Sequence, residues 1–379
     1  GLTGLMFPLA PWVPVGTQAG TGLLLGLARA DAGHLARGPI EAAGVGLPLS
    51  EGDVALRANF ATVTPNGDGF AILDRRAGRI RTGTEVLADA LDGLDLGEGI
   101  RARVRAATQH RIAVVLTGDA LSAAVTDTDP GAGRRDEGIR PCRPHAAEAA
   151  RTAEAVNRLI RASFDVLDAH PVNARRRAEG APPANGIITR GAGAHSRLRN
   201  LVAHLGLRAA LVAGESTLFG IGRLFGFTVL HDPAFTADAE TDLDAKVRAA
   251  HQALDEHDLV FLHIKGTDTT AHDLDPGAKR AFIERIDRAA GVLLSDPDLV
   301  VAATGDHSTV STLGSHTGDP VPAALRAPGG RRDAVSAFGE TACIAGGLGH
   351  LSATALLCAV LDHMGHLPID RAHRHVFYL

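Results

Sequence analysis

Leu259-Val260-Phe261-Leu262-His263-Ile264-Lys265-Gly266-Thr267-Asp268-Thr269-Thr270-Ala271-His272 passes from an apolar run into a polar segment within a few residues. The run Leu259–Ile264 predicts a strand. Asp268 and His272 are four apart, so a helical turn after that strand puts both on one face. Open α/β sheets hold their ligands at the carboxyl ends of strands. A second strand is predicted over Leu299–Ala303, and Gly305-Asp306-His307-Ser308 follows it. His316 then lies in a Gly- and Ser-rich loop. Asp268, His272, Asp306, His307 and His316 together offer carboxylate oxygens and imidazole nitrogens, the mixture that divalent metals of borderline hardness take. Each piece alone has a plain reading as a chance match or a solvated loop residue. In this order, each after a strand, they predict a metal centre.

Further strands are expected at Asn185–Thr189, Ala209–Ala213 and Phe227–Leu230, with helices between them. One helix, Asp242–Asp255, carries Leu243, Val247, Ala250 and Leu254 near helical spacing. Pro276 opens another, where a first-turn proline is welcome. This alternation argues for a largely parallel α/β sheet. The region from Leu47 to Ala184 reads differently, with strands at Val54–Val63 and Ile112–Leu116 and one long helix from Ala146 to Ala169. A charged, proline-rich passage, Arg175 to Pro183, marks its end as a surface link. The expected organisation is a catalytic domain from residues 1–46 and 185–379, with a smaller α+β domain, 47–184, inserted between them.

The chain has 379 residues, 45% of them hydrophobic and 21% charged, enough for two domains with real cores. A net charge of -5 speaks against a nucleic-acid partner, which calls for a basic excess. No apolar run approaches the ~18 residues of a membrane span. The three cysteines, Cys142, Cys343 and Cys358, lack CxxC spacing and fit reduced thiols, so a cytoplasmic location is expected. Self-association is compatible with the sequence. Lysine occurs only at Lys246, Lys265 and Lys279, against many arginines, which gives Lys265 beside the Asp268 cluster added weight. The chain begins with Gly1 rather than methionine, as a fragment or processed form would.

The order Lys265-Gly266-x-Asp268-x-x-x-His272-Asp273, then Gly305-Asp306-His307-Ser308-Thr309, then Ser315-His316-x-x-Asp319-Pro320-Val321-Pro322 resembles the archaeal-type cofactor-independent phosphoglycerate mutases of the alkaline phosphatase superfamily. The likeness runs through most of the chain, including Ala58-Asn59-Phe60-Ala61-Thr62-Val63, Asp74-Arg75-Arg76-Ala77-Gly78-Arg79-Ile80 and Asp127-Thr128-Asp129-Pro130. It implies an alkaline-phosphatase-like, mostly parallel sheet with helices on both faces and an inserted cap that closes over substrate. It also implies two divalent ions, manganese or zinc. One would be held by Asp268, His272 and His316. The other would be held by Asp306, His307, the nucleophile and an aspartate from a first strand ending in Gly-Asp-Gly, which would precede Gly1.

The resemblance places the nucleophile, a serine in the family, at Thr17. The residues themselves leave two roles open for Thr17, helix cap or nucleophile. The polar Asp-Thr-Ala-His run that follows in the family is Gln18, Ala19, Gly20 and Thr21 here. The expected substrate is a small phosphorylated hydroxy acid. Arg37, Arg75, Arg76, Arg79, Arg190 and Lys265 are candidates to hold its anionic groups. Asp127 and Asp129 either position a hydroxyl or shape a turn. The activity implied is an isomerase that transfers phosphate through a phosphothreonine, with Thr17 and Lys265 as catalytic residues. A phosphohydrolase or specialised phosphate or phosphonate ester enzyme of the same superfamily, and a non-catalytic ligand-binding relative, are the alternatives. Four late histidines, His363, His366, His373 and His375, read as surface residues.

Overall fold

The computed structural model describes residues 1–8, 15–131, 138–195 and 198–367. The elements run β1 (Leu2–Phe7), α1 (Thr17–Leu24), α2 (Arg37–Gly44), β2 (Val54–Asn66), β3 (Gly69–Asp74), α3 (Thr84–Asp89), β4 (Arg101–Ala106), β5 (Arg111–Thr117), α4 (Ala150–Asp168), α5 (Pro171–Ala178) and β6 (Gly186–Ala194). They continue α6 (Leu201–His204), β7 (Ala209–Val212), α7 (Ser216–Leu224), β8 (Thr228–Leu230), α8 (Leu243–Ala253), β9 (Leu259–Leu262), α9 (Gly266–His272) and α10 (Pro276–Ser295). The chain then runs β10 (Val301–Thr304), β11 (Ser308–Val310), β12 (Ser315–Thr317), β13 (Val321–Arg326), α11 (Glu340–Cys343), β14 (Gly349–Ser352) and α12 (Ala353–His363). Local chemistry sets several boundaries. Asp242 accepts from Ala245 N at 2.8 Å to start α8, and Asp275 accepts from Ala278 N at 2.8 Å with Pro276 just inside α10.

Two compact units result, Gly1–Leu35 with Leu198–Leu379, and Ala36–Arg197. The boundaries lie outside those expected at 46/47 and 184/185, so α2 and β6 belong to the second unit. The reason is pairing and packing. β6 hydrogen-bonds along β2 from Val54 to Ala61, and Ala42 of α2 packs on Ala55, Ala113 and Val115.

The first unit is mixed α/β. Its parallel part is the three-stranded sheet β8-β7-β9. A separate four-stranded sheet, β10-β13-β1-β14, pairs β13 antiparallel with both β10 and β1, while β1 and β14 are parallel. The single largely parallel sheet expected from the alternation is therefore replaced by a parallel sheet and a mixed one. No helix crosses over between β10 and β13, only the β11–β12 hairpin, and a short return of that kind delivers an antiparallel neighbour.

The second unit is built on the antiparallel sheet β3-β2-β5-β4, with β6 on the other side of β2. Alternation along β2 sends Leu56, Ala58 and Phe60 into a core with Ile112, Val114 and, from α4, Val156 and Leu159. Each such large side chain, fully buried, contributes roughly 1.5–3 kcal/mol. Arg57 and Asn59 point to the opposite face and are nonetheless buried. Among the described residues no helix is long and apolar enough to cross a membrane.

Candidate metal centre

The polar groups predicted from the three clusters lie in the first unit, and strand ends deliver them. Asp268 and His272 sit on α9, which starts four residues beyond β9; Asp306 and His307 follow β10; His316 is on β12. Asp268 Oδ1 lies 3.3 Å from His272 Nε2 and 3.4 Å from His316 Nε2, and the two imidazole nitrogens are 3.1 Å apart. A point equidistant from these three atoms, slightly off their plane, lies about 2 Å from each, the length of a Zn–N or Zn–O bond. The donor set therefore fits a divalent cation. His307 extends it, since donor atoms of Asp268, His307 and His316 all fall within 4.8 Å of one another. The His307 and His316 rings are 3.9 Å apart, centre to centre.

Neighbours fix the tautomers and the charges. His272 Nδ1 lies 2.8 Å from the Gly314 carbonyl, leaving Nε2 for the cluster, as outer partners of ligating imidazoles do. Thr309 donates its hydroxyl to Asp268 Oδ1 at 2.7 Å, and the Lys265 ammonium lies 3.3 Å from Asp268 Oδ2. Burial opposes ionisation of Asp268, but the His316 contact, Lys265 and Thr309 outweigh it and hold the carboxyl far below its usual range. His316 is raised, chiefly by that same hydrogen bond to Asp268. His307 is lowered, chiefly by burial.

Helix α1 enters this cluster at its amino end. Gly16 is the N-cap, and no side chain caps the helix. The Thr17 hydroxyl is thus not a cap; Oγ1 lies 3.2 Å from His307 Nε2. One turn on, Thr21 donates to Asp306 Oδ2 at 3.0 Å, and Asp306 Oδ1 is 3.8 Å from His307 Nε2. Gly20 permits this approach, because a Cβ there would lie 2.0 Å from the Asp306 carbonyl oxygen. Gln18 Nε2 is buried without a hydrogen-bond partner. All five predicted ligands, Thr17 and Lys265 thus come together in one unit.

The arginine candidates fall in the second unit. Asp129 accepts two hydrogen bonds from Arg75, at 2.9 and 2.6 Å, and lies 4.0 Å from Arg190. Asp127 accepts from Gly191 N at 2.8 Å and so shapes that turn. Arg37 packs its stem on Gly191 and adds its charge to that of Arg190. Arg76 and Arg79 are exposed, and Arg76 feels Arg79, Arg75 and Arg111. Sequence reasoning missed the centre of this cluster. Arg57 stands directly across the strand pair from Arg190, and Asn59 across from Arg111. Like charges opposite one another destabilise a sheet unless something negative joins them. Burial and the surrounding arginines lower Arg57 to about 9 and Arg190 to about 10. His110, buried beside them, is lowered to about 3 by burial and then by Arg111, Arg76, Arg57 and Arg190. Arg57 Nε, Arg190 Nε, His110 Nδ1 and Asn59 Oδ1 are buried with no partner. The available signal was an arginine and an asparagine at alternating positions inside an otherwise apolar strand. Of the late histidines, His363 and His366 are exposed, and His373 and His375 lie outside the described residues.

Comparisons with known proteins agree with the motif reading. The family model described as 2,3-bisphosphoglycerate-independent phosphoglycerate mutase matches residues 1–173. A protein of that name from Ignicoccus hospitalis is 43% identical over 86% of this chain and 80% of its own. Another, from Methanopyrus kandleri, is 41% identical over 96% of this chain and 87% of its own. Among solved structures, a Pyrococcus horikoshii protein superposes with a TM-score of 0.77 at 29% identity, over 98% of this chain and 88% of its own. The cofactor-independent phosphoglycerate mutase of Thermoplasma acidophilum superposes with a TM-score of 0.66 at 32% identity, over 96% of this chain and 89% of its own. With most of its length aligned to such relatives, the chain belongs to the family of 2,3-bisphosphoglycerate-independent phosphoglycerate mutases.

Proposed function

We propose that this protein interconverts phosphoglycerate isomers by moving the phosphoryl group through Thr17. The observation that carries the proposal is the Thr17 hydroxyl 3.2 Å from His307 Nε2, at the edge of a donor set sized for a divalent cation. The named activity of the relatives supports the same substrate. Thr17 Oγ attacks phosphorus, the bond to the substrate oxygen breaks, and the Thr17 proton ends on the departing oxygen. The acid reorients, and its other hydroxyl takes the phosphoryl group back. Asp268, His272 and His316 would hold one divalent ion; Asp306, His307 and Thr17 would contribute to a second. Manganese and zinc both suit these ligands. When bound, such ions neutralise phosphoryl oxygens and lower the pKa of the attacking hydroxyl.

Lys265 adds a compact positive charge beside Asp268, suited to a phosphoryl oxygen. In the second unit, Arg57 and Arg190, with Arg37, Arg75, Arg76 and Arg79 around them, form a cationic cluster whose chemistry suits an anionic carboxylate. An alkaline-phosphatase-like arrangement of the first unit belongs to the same reading. So does a small phosphorylated acid as the only partner the chemistry requires.

A hydrolytic reading has one observation in its favour. Thr21 donates a hydrogen bond to Asp306 and Gln18 Nε2 has no hydrogen-bond partner, and neither side chain is the acid or imidazole that the likeness calls for at positions 18 and 21. Phosphorus NMR of 3-phosphoglycerate with enzyme and manganese separates the two readings. The 2-isomer is expected; free phosphate as the sole product would replace mutase by phosphatase, and no reaction would sink both.

A further inference from the structure

The three lysines of this arginine-rich chain are not scattered. Lys265 touches Asp268 directly. Lys279 donates to the Thr309 carbonyl at 2.8 Å, and Thr309 donates its hydroxyl to Asp268. Lys246 feels the charge of Glu215, the carboxylate that pairs with Lys265. Its side chain is fully buried, and its Nζ donates to the Thr236 carbonyl at 2.8 Å. Glu215, 4% exposed, has Oε1 3.5 Å from the Lys265 Nζ, and its charge also acts on Lys246. Positive and negative charges therefore alternate from Lys246 through Glu215 and Lys265 to Asp268.

A buried carboxylate needs a fixed position and a counter-charge to be tolerated. Both are built in here. Gly214 lies so close to the loop after β8 that a Cβ would sit 2.3 Å from the Thr236 carbonyl oxygen. Lys246, from α8, grips that same carbonyl. Thr269, next to Asp268 on α9, donates to the adjoining Ala237 carbonyl at 3.1 Å. The loop is thereby tied to the Gly214–Glu215 turn, to α8 and to the helix that carries Asp268 and His272. Burial lowers Lys246 to about 8, opposed by Asp238 and Glu215.

We propose that Glu215 is a positioning residue for phosphoryl transfer: backed by Lys246, its buried carboxylate fixes the Lys265 ammonium beside Asp268. A free lysine stem has many rotamers, and holding the ammonium in one place before substrate arrives removes that ordering cost from the reaction. The two lysines are compact point charges on slender stems; a guanidinium at either position would demand planar, forked contacts. The inference rests on the mutase reading for its kinetic consequence, but not for its structural one.

The test uses the full chain with lysine labelled at the side-chain nitrogen. Three lysines give three assignable ammonium signals. In Glu215→Gln the Lys265 signal should move to the position of free lysine or exchange away, while that of Lys279 stays put. An unmoved Lys265 signal overturns the proposal. In parallel, kcat of Glu215→Gln should fall at least about tenfold with KM changed less. Combined with Lys265→Met it should cost nothing beyond Lys265→Met alone, because the two residues act as one. Losses that multiply would overturn the proposal as well. If Glu215→Gln does not fold, Glu215→Asp, which keeps the charge but falls short of Lys265, is held to the same two criteria. Failure of the wild-type protein to isomerise phosphoglycerate would remove the mutase reading, with the NMR experiment still deciding the position of Lys265.

Discussion

Thr17 Oγ1 lies 3.2 Å from His307 Nε2, although nearly three hundred residues separate them in the chain. The contact commits the hydroxyl to the histidine and aspartate cluster rather than to the first turn of α1, whose N-cap is Gly16. Thr17→Ala should therefore lose turnover by at least about a thousandfold. Thr17→Ser, which keeps the hydroxyl, should retain most of it. Metal affinity by calorimetry should change far less than activity in Thr17→Ala. Turnover by Thr17→Ala at the wild-type rate would remove the nucleophile.

Gly20 is where the family likeness places an alanine, and the structure gives the reason for the difference. A Cβ at Gly20 would meet the Asp306 carbonyl oxygen at 2.0 Å, so backbone must give way. Gly20→Ala should push α1 outward, break the Thr21–Asp306 hydrogen bond and withdraw Thr17. Activity should drop on the order of a hundredfold, since small misplacements of reacting groups are costly. A crystal structure of Gly20→Ala with Thr17 still beside His307 would contradict this.

Arg57 and Arg190, opposite one another on β2 and β6, should respond differently to removal. Arg190→Met leaves Asp129 paired with Arg75, so stability should change by less than about 1 kcal/mol while KM rises about 10- to 100-fold. Arg57→Met removes the ion pair to Glu41, which is fully buried and 3.6 Å from Arg57, and should cost more stability in urea denaturation than Arg190→Met, on the order of a few kcal/mol. Equal stabilities for the two variants would show that the Arg57–Glu41 pair is not what separates them.

His110 supplies a pH dependence. Burial and the neighbouring arginines lower its pKa to about 3, against about 6.5 when unfolded. Between those values the unfolded chain binds the proton and the folded chain does not. Stability is thus fully present above pH ~6.5 and is lost as pH falls toward 3. The loss from this one group is a few kcal/mol. In His110→Gln that share of the slope should vanish. Equal slopes for wild type and variant between pH 6.5 and 4 would contradict the assignment.

Much of the site was legible because it is written locally. Asp268 and His272 share a helical turn after a strand, and Asp306 and His307 are neighbours. Strand ends then carry them to one place. The arginine cluster was legible only at its rim. Arg75, Arg76 and Arg79 stand together in sequence, but Arg57, Arg190, Arg111 and His110 are joined by strand register, which a single chain does not print. The same limit hid Glu215, which reaches Lys265 from another element. In the fold, the strongly periodic segments were found: β2, β5, α4, α8 and α10. Strands β1, β13 and β14 were not anticipated. They are short, and their partners are distant in sequence, Gly4 lying across from Ala323 on one side and Gly349 on the other. That is also why the mixed character of their sheet escaped a reading based on strand–helix alternation.

Peptide mapping by mass spectrometry, on enzyme quenched during steady turnover of 3-phosphoglycerate, tests the central claim most directly. Phosphate should be found on Thr17, in an amount that decays when substrate is exhausted. Undiminished turnover with phosphate on another residue, or on none, would contradict it.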